Sequence, residues 1–288
     1  MKRTYNFGSG LPDACRLGLA TRGNTHLEPE DIRHAVARGI NYLNWCGHSD
    51  GLSRAIREMG PDRDRVIVAW QIQSSTADGA RRELDGALDE LGTDRIDLVT
   101  LYYVESESEW IDLASCGGAC EILAEAKEQG QIRMIGLTSH QRAMASSIAA
   151  GNLLPPPDER ATGLNASRPL DALMLRYNAA HRGAETDVFP TTDRIDLPVV
   201  VYTCLRWGAL MKPTTSDPED FSPPPAPEWY RYALANPSVA VVLMAPNGRD
   251  ELDHNLGLLD DWREPSPDEM AAMTSHGDRV YKTAGSFP

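Results

Sequence analysis

The chain has 288 residues, 41% of them hydrophobic, which suits one large α/β barrel or two smaller domains and excludes gross disorder. Its 42 acidic residues outweigh 28 basic ones, for a net charge of −14. Such a surface repels phosphate backbones, which argues against general binding to nucleic acid or to an anionic membrane.

Strand and helix signals alternate from one end to the other. Residues 16–20 read as a first strand. Residues 28–38 read as a helix, with Ile32, Ala35 and Val36 at helical spacing. A second strand over 41–44 lies in Gly39-Ile40-Asn41-Tyr42-Leu43-Asn44-Trp45-Cys46, an apolar run with a polar tip. A short helix over 52–59 stops at Gly60-Pro61. Residues 65–70 are nearly all apolar, as expected of a strand buried on both faces of a parallel sheet. The helix over 77–91 carries Leu84, Ala87, Leu88 and Leu91 on one stripe. There follow a strand at 95–103, a helix at 119–129 closed by Gly130, a strand at 132–137 and a helix at 141–150. Strands at 171–177, 198–202 and 239–244 complete the set, the second with Pro198 at its first position, where it costs no ladder bond. Helices over 250–259 and 267–276 end the chain. Proline-rich stretches near 151–170 and 211–229, the latter with Pro223-Pro224-Pro225, read as long loops.

Eight strand signals with helices between them predict a closed (β/α)8 TIM barrel, in a single domain over 1–288. No run approaches the ~18–20 apolar residues of a spanning helix, and the amino-terminal segment has no apolar core long enough for a secretory signal. The five scattered cysteines fit free thiols in a reducing cytoplasm. Cys116-Gly-Gly-Ala-Cys120 has no second ligand pair after it, so no zinc site is expected.

In such a barrel the active site lies at the carboxyl ends of the strands. The tips are Thr21 and Arg22; Asn44, Trp45 and Cys46; Trp70 and Gln71; Tyr102 and Tyr103; Thr138, Ser139 and His140; Arg176, Tyr177 and Asn178; Thr203, Cys204 and Arg206; and Ala245, Pro246 and Asn247. This set holds no carboxylate for paired-carboxylate hydrolysis and no lysine for Schiff-base chemistry. Arginine, aromatic rings, amides and hydroxyls remain, a mixture suited to an aromatic or phosphorylated ligand. Equally, any one of them can simply fill the barrel mouth.

Several segments together resemble the aldo-keto reductase superfamily. Residues 39–44, GINYLN, are similar to its second-strand motif G-[IV]-[NT]-[FY]-[FLI]-D-T-A, and residues 130–139, GQIRMIGLTS, to G-K-[IV]-R-x-I-G-[VL]-S-N. Residues 94–98 resemble T-D-Y-[IV]-D-L, Arg176-Tyr177-Asn178 resembles the Q-x-x-Y-N region, and residues 197–205 resemble [IV]-x-[LV]-x-[AG]-Y-S-P-L. Leu252-Asp253-His254-Asn255 is similar to the L-x-E-N of a late helix. The six matches run in the family's order over roughly residues 16–275.

The resemblance implies NADP(H)-dependent reduction of a carbonyl compound. In that family a tyrosine donates the proton, a lysine lowers its pKa, an aspartate holds the lysine and a histidine orients the carbonyl. Here the aspartate position is Asn44, the lysine position Gln71 and the histidine position Tyr102, while the tyrosine position falls near Ser49, beside His48 and Asp50. Removing one charge of a buried pair strands the other, whereas removing both is nearly neutral, and an amide pair can still share a hydrogen bond. Tyr102 is a poorly matched acid without a nearby cation; His48 is better matched where it points inward, and a surface-loop residue where it does not.

On the cofactor side, the resemblance places Thr138, Ser139 and Asn178 at the nicotinamide amide, and Thr203 and Leu205 around the pyrophosphate. Arg206 is set to meet a phosphate there. Tyr177 is either a stacking ring for the nicotinamide or core. Arg22 sits at the first strand tip on the same side. Arg249, after Asn247-Gly248, is set to pair with a 2′-phosphate, and Asn255 opens the late-helix motif. The family's arginine four residues before that asparagine is Glu251 here, which weakens the expectation of NADP(H) and leaves NAD(H) open. Three functions follow: an oxidoreductase for a small carbonyl or alcohol with a non-standard proton donor; a barrel that has lost redox catalysis and binds a ligand or regulates; and a lyase or isomerase using His48 or Tyr102.

Overall fold

The computed structural model describes residues 1–21 and 26–283. Two short antiparallel strands, Thr4–Tyr5 and Ala14–Cys15, precede the main sheet. Eight parallel strands then close on themselves: β1 (Leu17–Ala20), β2 (Tyr42–Trp45), β3 (Ile67–Ile72), β4 (Ile96–Leu101), β5 (Ile132–Ser139), β6 (Ala172–Arg176), β7 (Val199–Tyr202) and β8 (Val239–Met244). They stand in chain order around the ring, with β8 paired to β1. The expected (β/α)8 barrel is what forms. Among the described residues no helix is long and apolar enough to cross a membrane.

The apolar strands serve two cores at once. Tyr42, Ile67, Ala69, Leu98, Met134, Ala172, Met174, Val200 and Val241 point into the barrel. Their neighbours Leu43, Val68, Val99, Ile135, Leu173, Val201 and Val242 point outward to the helices. The side-chain period of two therefore reads as a continuous apolar run rather than an alternation. Gly18 makes room at the barrel centre: a Cβ there would lie 2.9 Å from Val241 Cγ1 and 3.0 Å from Tyr42 Cδ1.

The surrounding helices are α1 (Pro29–Ala37), α2 (Gly51–Glu58), α3 (Ala77–Leu91), α4 (Glu107–Ala114), α5 (Ala119–Glu128), α6 (Arg142–Ala149), α7 (Ala184–Asp187), α8 (Phe189–Arg194), α9 (Ala226–Leu234), α10 (Arg249–Leu256) and α11 (Pro267–Thr283). Four of these, α4, α7, α8 and α9, have no counterpart in the sequence reading. α7 and α8 are too short to repeat an apolar stripe, and α4 is set by its ends instead: Ser106 and Glu109 form a capping box. The stretch near 211–229 is not all loop, because Pro225 is the N-cap of α9 and Pro227 lies in its first turn, where a missing N–H costs nothing. The last helix runs on to Thr283, well past 276. Residues 151–170 are irregular, pinned by Trp110 Nε1 donating to the Leu153 carbonyl (2.7 Å).

Candidate active site

The carboxyl ends of the strands open on a cavity of ≈ 360 Å³, within the ~300–1,000 Å³ usual for small-molecule sites. Its wall is built in turn by Ala20 at the end of β1 and Thr21 after it, Asn44 and Cys46 at β2, Gln71 on β3, Tyr103 after β4, Met174 on β6 and Tyr202 on β7. The turn after β7 adds Thr203, Cys204, Leu205, Trp207, Gly208 and Met211; Tyr230, Leu243, Ala245 and Glu251 close the ring. A hollow at the opposite end of the barrel is open and charged, and its Arg95, Lys127 and Arg133 lie against Asp64, Asp97 and Asp171. Its cations are neutralised by structural carboxylates, which leaves the strand-tip cavity as the site.

Asn44 and Gln71 are brought together at the cavity floor. Asn44 stands opposite Ala69 on β3, and Gln71 is the next inward position on that strand. The shared amide hydrogen bond expected between them does not form. Gln71 Nε2 donates instead to Thr138 Oγ1 (3.0 Å), which donates to Thr100 Oγ1 (3.4 Å). Thr138 is fully buried on the inner face of β5, and a buried hydroxyl needs a partner more than a rim amide does. Thr138 thus lies beneath the cavity, reached through Gln71.

Tyr102 does not line the cavity; its neighbour Tyr103 does. Alternation along β4 turns Leu98 and Thr100 inward and would turn Tyr102 inward next. Tyr103 takes a left-handed conformation (φ +41°), which swings its ring over the mouth and leaves Tyr102 42% exposed against it, ring centroids 4.3 Å apart. His48 also lies outside. It is exposed on the loop before α2, where its carbonyl accepts from Trp45 Nε1 (2.7 Å). Asp50 in the same loop is the N-cap of α2.

The residues expected around a cofactor divide. Thr203 and Leu205 line the cavity. Arg206 is 5% exposed just behind them. Ser139 is buried, and its hydroxyl accepts from the Gln141 backbone (2.9 Å) at the start of α6. Asn178 is used up within the protein: Nδ2 donates to the Thr203 carbonyl (2.8 Å), and Oδ1 accepts from the backbones of Ala180 (2.9 Å) and His181 (3.0 Å). It fastens the exits of β6 and β7 to each other. Tyr177 packs in the outer layer against Phe189 and donates to Glu185 (2.7 Å), because it falls on the outward phase of β6. The ring offered to the mouth from this side is Tyr202. Arg249 is held by Asp253 (2.9 Å) and Asp31 (3.2 Å). Asn255 is buried within α10 and is not part of the cavity wall. Arg22 lies outside the described residues.

Two features of the wall bear on binding. Thr21 Oγ1 and the Tyr202 hydroxyl are buried without a hydrogen-bond partner. Tyr103 stands beside Tyr202 and raises the pKa of its phenol, while Tyr202 acts on Tyr103 in the opposite direction; the two hydroxyls lack the alignment of a formed hydrogen bond. Burial is the larger cause, and both phenols are held above the ordinary tyrosine range, so both stay neutral at neutral pH. The turn after β7 is strained: Thr203 (φ +57°), Arg206 (φ +49°) and Trp207 (φ +57°) all sit in the left-handed region. Such strain persists where the surrounding structure holds a functional geometry.

Charge around the cavity is uneven. Among the described residues lining it, Glu251 is the one charged side chain. Behind Tyr202, Arg176, Arg206 and Arg142 form a basic cluster. Burial first, and these arginines next, push the His181 imidazole down to about 4. His181 therefore stays neutral and adds no positive charge.

Residues 20–229 match the model of the Aldo/keto reductase family. Among solved structures, the chain is similar to an aldo-keto reductase from Bacillus halodurans in its holo form, with a TM-score of 0.72, 17% identity, and 96% of each chain covered. It is similar to an aldo-keto reductase from Klebsiella pneumoniae in complex with NADPH, with a TM-score of 0.72, 18% identity, and 96% of each chain covered. A structure described as a putative 2,5-diketo-D-gluconic acid reductase B gives a TM-score of 0.70 at 18% identity, covering 96% of this chain and 92% of that one. At such identities the likeness is one of fold. No curated protein matches the chain.

Proposed function

The chain belongs to the aldo/keto reductase family, and on that premise we propose that it is an oxidoreductase using a nicotinamide dinucleotide to interconvert a small carbonyl compound and its alcohol. Its proton donor differs from the family's tyrosine–lysine pair. The observation that carries this reading is the pair of orphaned hydroxyls in the cavity wall, Thr21 Oγ1 and Tyr202 OH. A buried polar group left unmatched costs about 1–3 kcal/mol, so a ligand bearing amide or hydroxyl groups is favoured there.

A nicotinamide nucleotide fits that requirement. Thr21, Tyr202, Thr203 and Leu205 would hold it, with Gln71 beneath. When bound, it supplies or accepts a hydride. Glu251 on the wall and the ion-paired Arg249 support NAD(H) over NADP(H). A carboxylate suits a ribose hydroxyl and repels a 2′-phosphate.

Titration with NADH and NADPH, followed by tryptophan fluorescence, tests the reading. Trp207 sits on the cavity wall, and Trp45 and Trp70 pack on each other 6.3 Å apart at the neighbouring strand tips. NADH should quench at lower concentration than NADPH. Absence of quenching by either at millimolar concentration ends the proposal.

A second reading, a barrel that binds a ligand without turnover, is favoured by the raised phenols and by the lack of a lysine among the described lining residues. Consumption of NADH with any member of a carbonyl panel would eliminate it.

A further inference from the structure

Neither Asn44 nor Gln71 can release a proton, and the phenols at the mouth are held above their ordinary range. Among the described residues, a titratable pair, Glu105 with His140, stands at the rim where β4 and β5 leave the barrel. Val104 N donates to the Thr138 carbonyl (2.9 Å) and so ties the exits of β4 and β5 together. Glu105 and His140 follow on the two sides of that tie. Glu105 Oε1 accepts from the His140 backbone (2.8 Å) and lies 3.2 Å from its Nδ1, while Oε2 accepts from Gln141 Nε2 (3.2 Å). The ring is thereby fixed in place and direction. It stacks on Tyr103 with centroids 4.6 Å apart and planes 22° apart, and it meets Tyr202 edge-on at 6.3 Å. Both of those tyrosines line the cavity.

Nδ1 is thus committed to a carboxylate, and the ring's hydrogen bond to a described residue is made through Nδ1, not Nε2. A carboxylate on one nitrogen selects the tautomer that leaves the other nitrogen available, the arrangement that prepares an imidazole for proton transfer. His140 does not itself line the cavity: it stands behind Tyr103 and Tyr202, and it borders an outer groove of ≈ 520 Å³ that also holds Glu107, Arg142 and Asp187. Arg142 and Asp187 pair with each other (2.9 Å), so the charge in direct contact with the ring is that of Glu105. The groove opens to solvent, a path by which the ring can be recharged.

We propose that His140 is the acid–base group of this site and that Glu105 is its positioning residue. The assignment rests on the oxidoreductase reading above. In the reductive direction the carbonyl carbon accepts a hydride from a reduced nicotinamide, and the C=O π pair passes to the oxygen. That oxygen takes the proton carried on His140 Nε2 across a bridging water, since the ring stands behind the cavity-lining tyrosines. The imidazolium becomes neutral imidazole and takes up a proton from solvent through the groove, while Glu105 keeps its charge throughout. Oxidation of the alcohol reverses each step.

His140→Asn and Glu105→Gln test this, with the wild type measured alongside. His140→Asn should lower kcat for carbonyl reduction by about 10²-fold or more, with NADH binding by tryptophan quenching unchanged. The limb of the pH profile that His140 sets should vanish in that variant. Glu105→Gln should lower kcat less, shift the same limb, and leave KM for the carbonyl unaltered. An unchanged kcat and pH profile in His140→Asn overturns the assignment.

If the wild type binds no dinucleotide or turns over no carbonyl, the oxidoreductase reading fails on its own. The pair is then decided by diethyl pyrocarbonate and peptide mapping. An oriented, accessible Nε2 makes His140 react ahead of the exposed His48, and Glu105→Gln slows it. Reaction of His140 no faster than that of His48 overturns the proposal by this route as well.

Discussion

Returning a single charge to the cavity floor should be costly, and returning two should cost much less than their sum. Asn44 is 3% exposed, faces Ala69 across the β2–β3 ladder, and shares the cavity wall with no cation among the described residues. Among the described residues lining the cavity, a carboxylate at that position has no cation to pair with. Its folded-state pKa should rise above the unfolded value of ~3.9, and a rise of about three units corresponds to about 4 kcal/mol. That sits within the ~3–5 kcal/mol typical of an uncompensated buried charge. A group whose folded pKa is raised binds more protons in the folded state. The Asn44→Asp penalty should therefore be absent near pH 4, grow as pH rises, and be full once the folded pKa is passed. Gln71→Lys loses the bond to Thr138, about 1 kcal/mol, but Gln71 is only partly buried, and the ammonium can reach toward the mouth. The two positions are diagonal neighbours, so the double variant should recover about 1–3 kcal/mol relative to the sum. Urea unfolding at pH 5 and pH 8, followed by tryptophan fluorescence, measures all four corners of the cycle. A cost below about 1 kcal/mol for Asn44→Asp at pH 8 would mean that Asn44 is hydrated. Strict additivity would mean that the pair does not share a floor. Either result refutes the reasoning.

The His181 imidazole, held at about 4 by burial and by Arg176, Arg206 and Arg142, binds protons more readily in the unfolded chain. Its contribution to stability is complete above the unfolded value of ~6.5 and is lost as pH falls toward 4, about 2 kcal/mol once solvent screening is allowed for. The gap in urea midpoint between the wild type and His181→Gln should narrow over that window, and parallel curves would contradict it. Burial pushes the Cys120 and Cys204 thiols up to about 12. Iodoacetamide at pH 8 should therefore label exposed Cys116 in the native protein and reach Cys120 and Cys204 only after denaturation; rapid native labelling of Cys204 would mean that the cavity wall opens. Glu251→Arg should move preference from NADH toward NADPH by about tenfold, the ratio that corresponds to 1.4 kcal/mol. An unaltered ratio of the two dissociation constants would show that Glu251 is remote from the ribose.

Much of the site was legible before any coordinates, because a parallel barrel delivers its strand tips to one place. Thr21, Asn44, Cys46, Gln71, Tyr103, Thr203, Cys204 and Ala245 are all tip residues, and all line the cavity. The errors have local causes. The expectation for Tyr102 rests on the family's histidine position, which the strand period also turns inward; that period ends where Tyr103 turns left-handed, a backbone event that no motif or apolar pattern records. Of the two readings of Tyr177, stacking ring or core, the structure gives core, because phase along β6 turns it outward, whereas Tyr202 ends β7 at the mouth. Tyr230 was hidden because a proline run masks the start of α9. Met174 lies just below the tip of β6, within the run that reads as core. Glu105 and His140 are an ordinary loop acid and a strand-tip histidine in the sequence. Only the tie between Val104 and Thr138 makes them neighbours.

The neutral floor and the charged rim belong to one argument. A buried aspartate–lysine pair keeps a neighbouring tyrosine acidic, and removing both charges together costs the fold little, since neither ion is left alone. What disappears is the cation that held a phenol near neutrality. Tyr103 and Tyr202, raised first of all by burial, sit above their usual range, where a donor offers little driving force for protonating an alkoxide. An imidazole's ordinary pKa lies nearest neutral pH of any side chain, so it needs no buried lysine to be useful. It needs orientation, which a carboxylate in the next loop provides at the surface, where ionising it is inexpensive. Glu105 is partly exposed and His140 less so, with side-chain accessibilities of 31% and 17%. A barrel whose floor holds amides where an ion pair would otherwise lie can still carry acid–base chemistry at its rim, and the β4 and β5 exits hold the oriented pair proposed for that role.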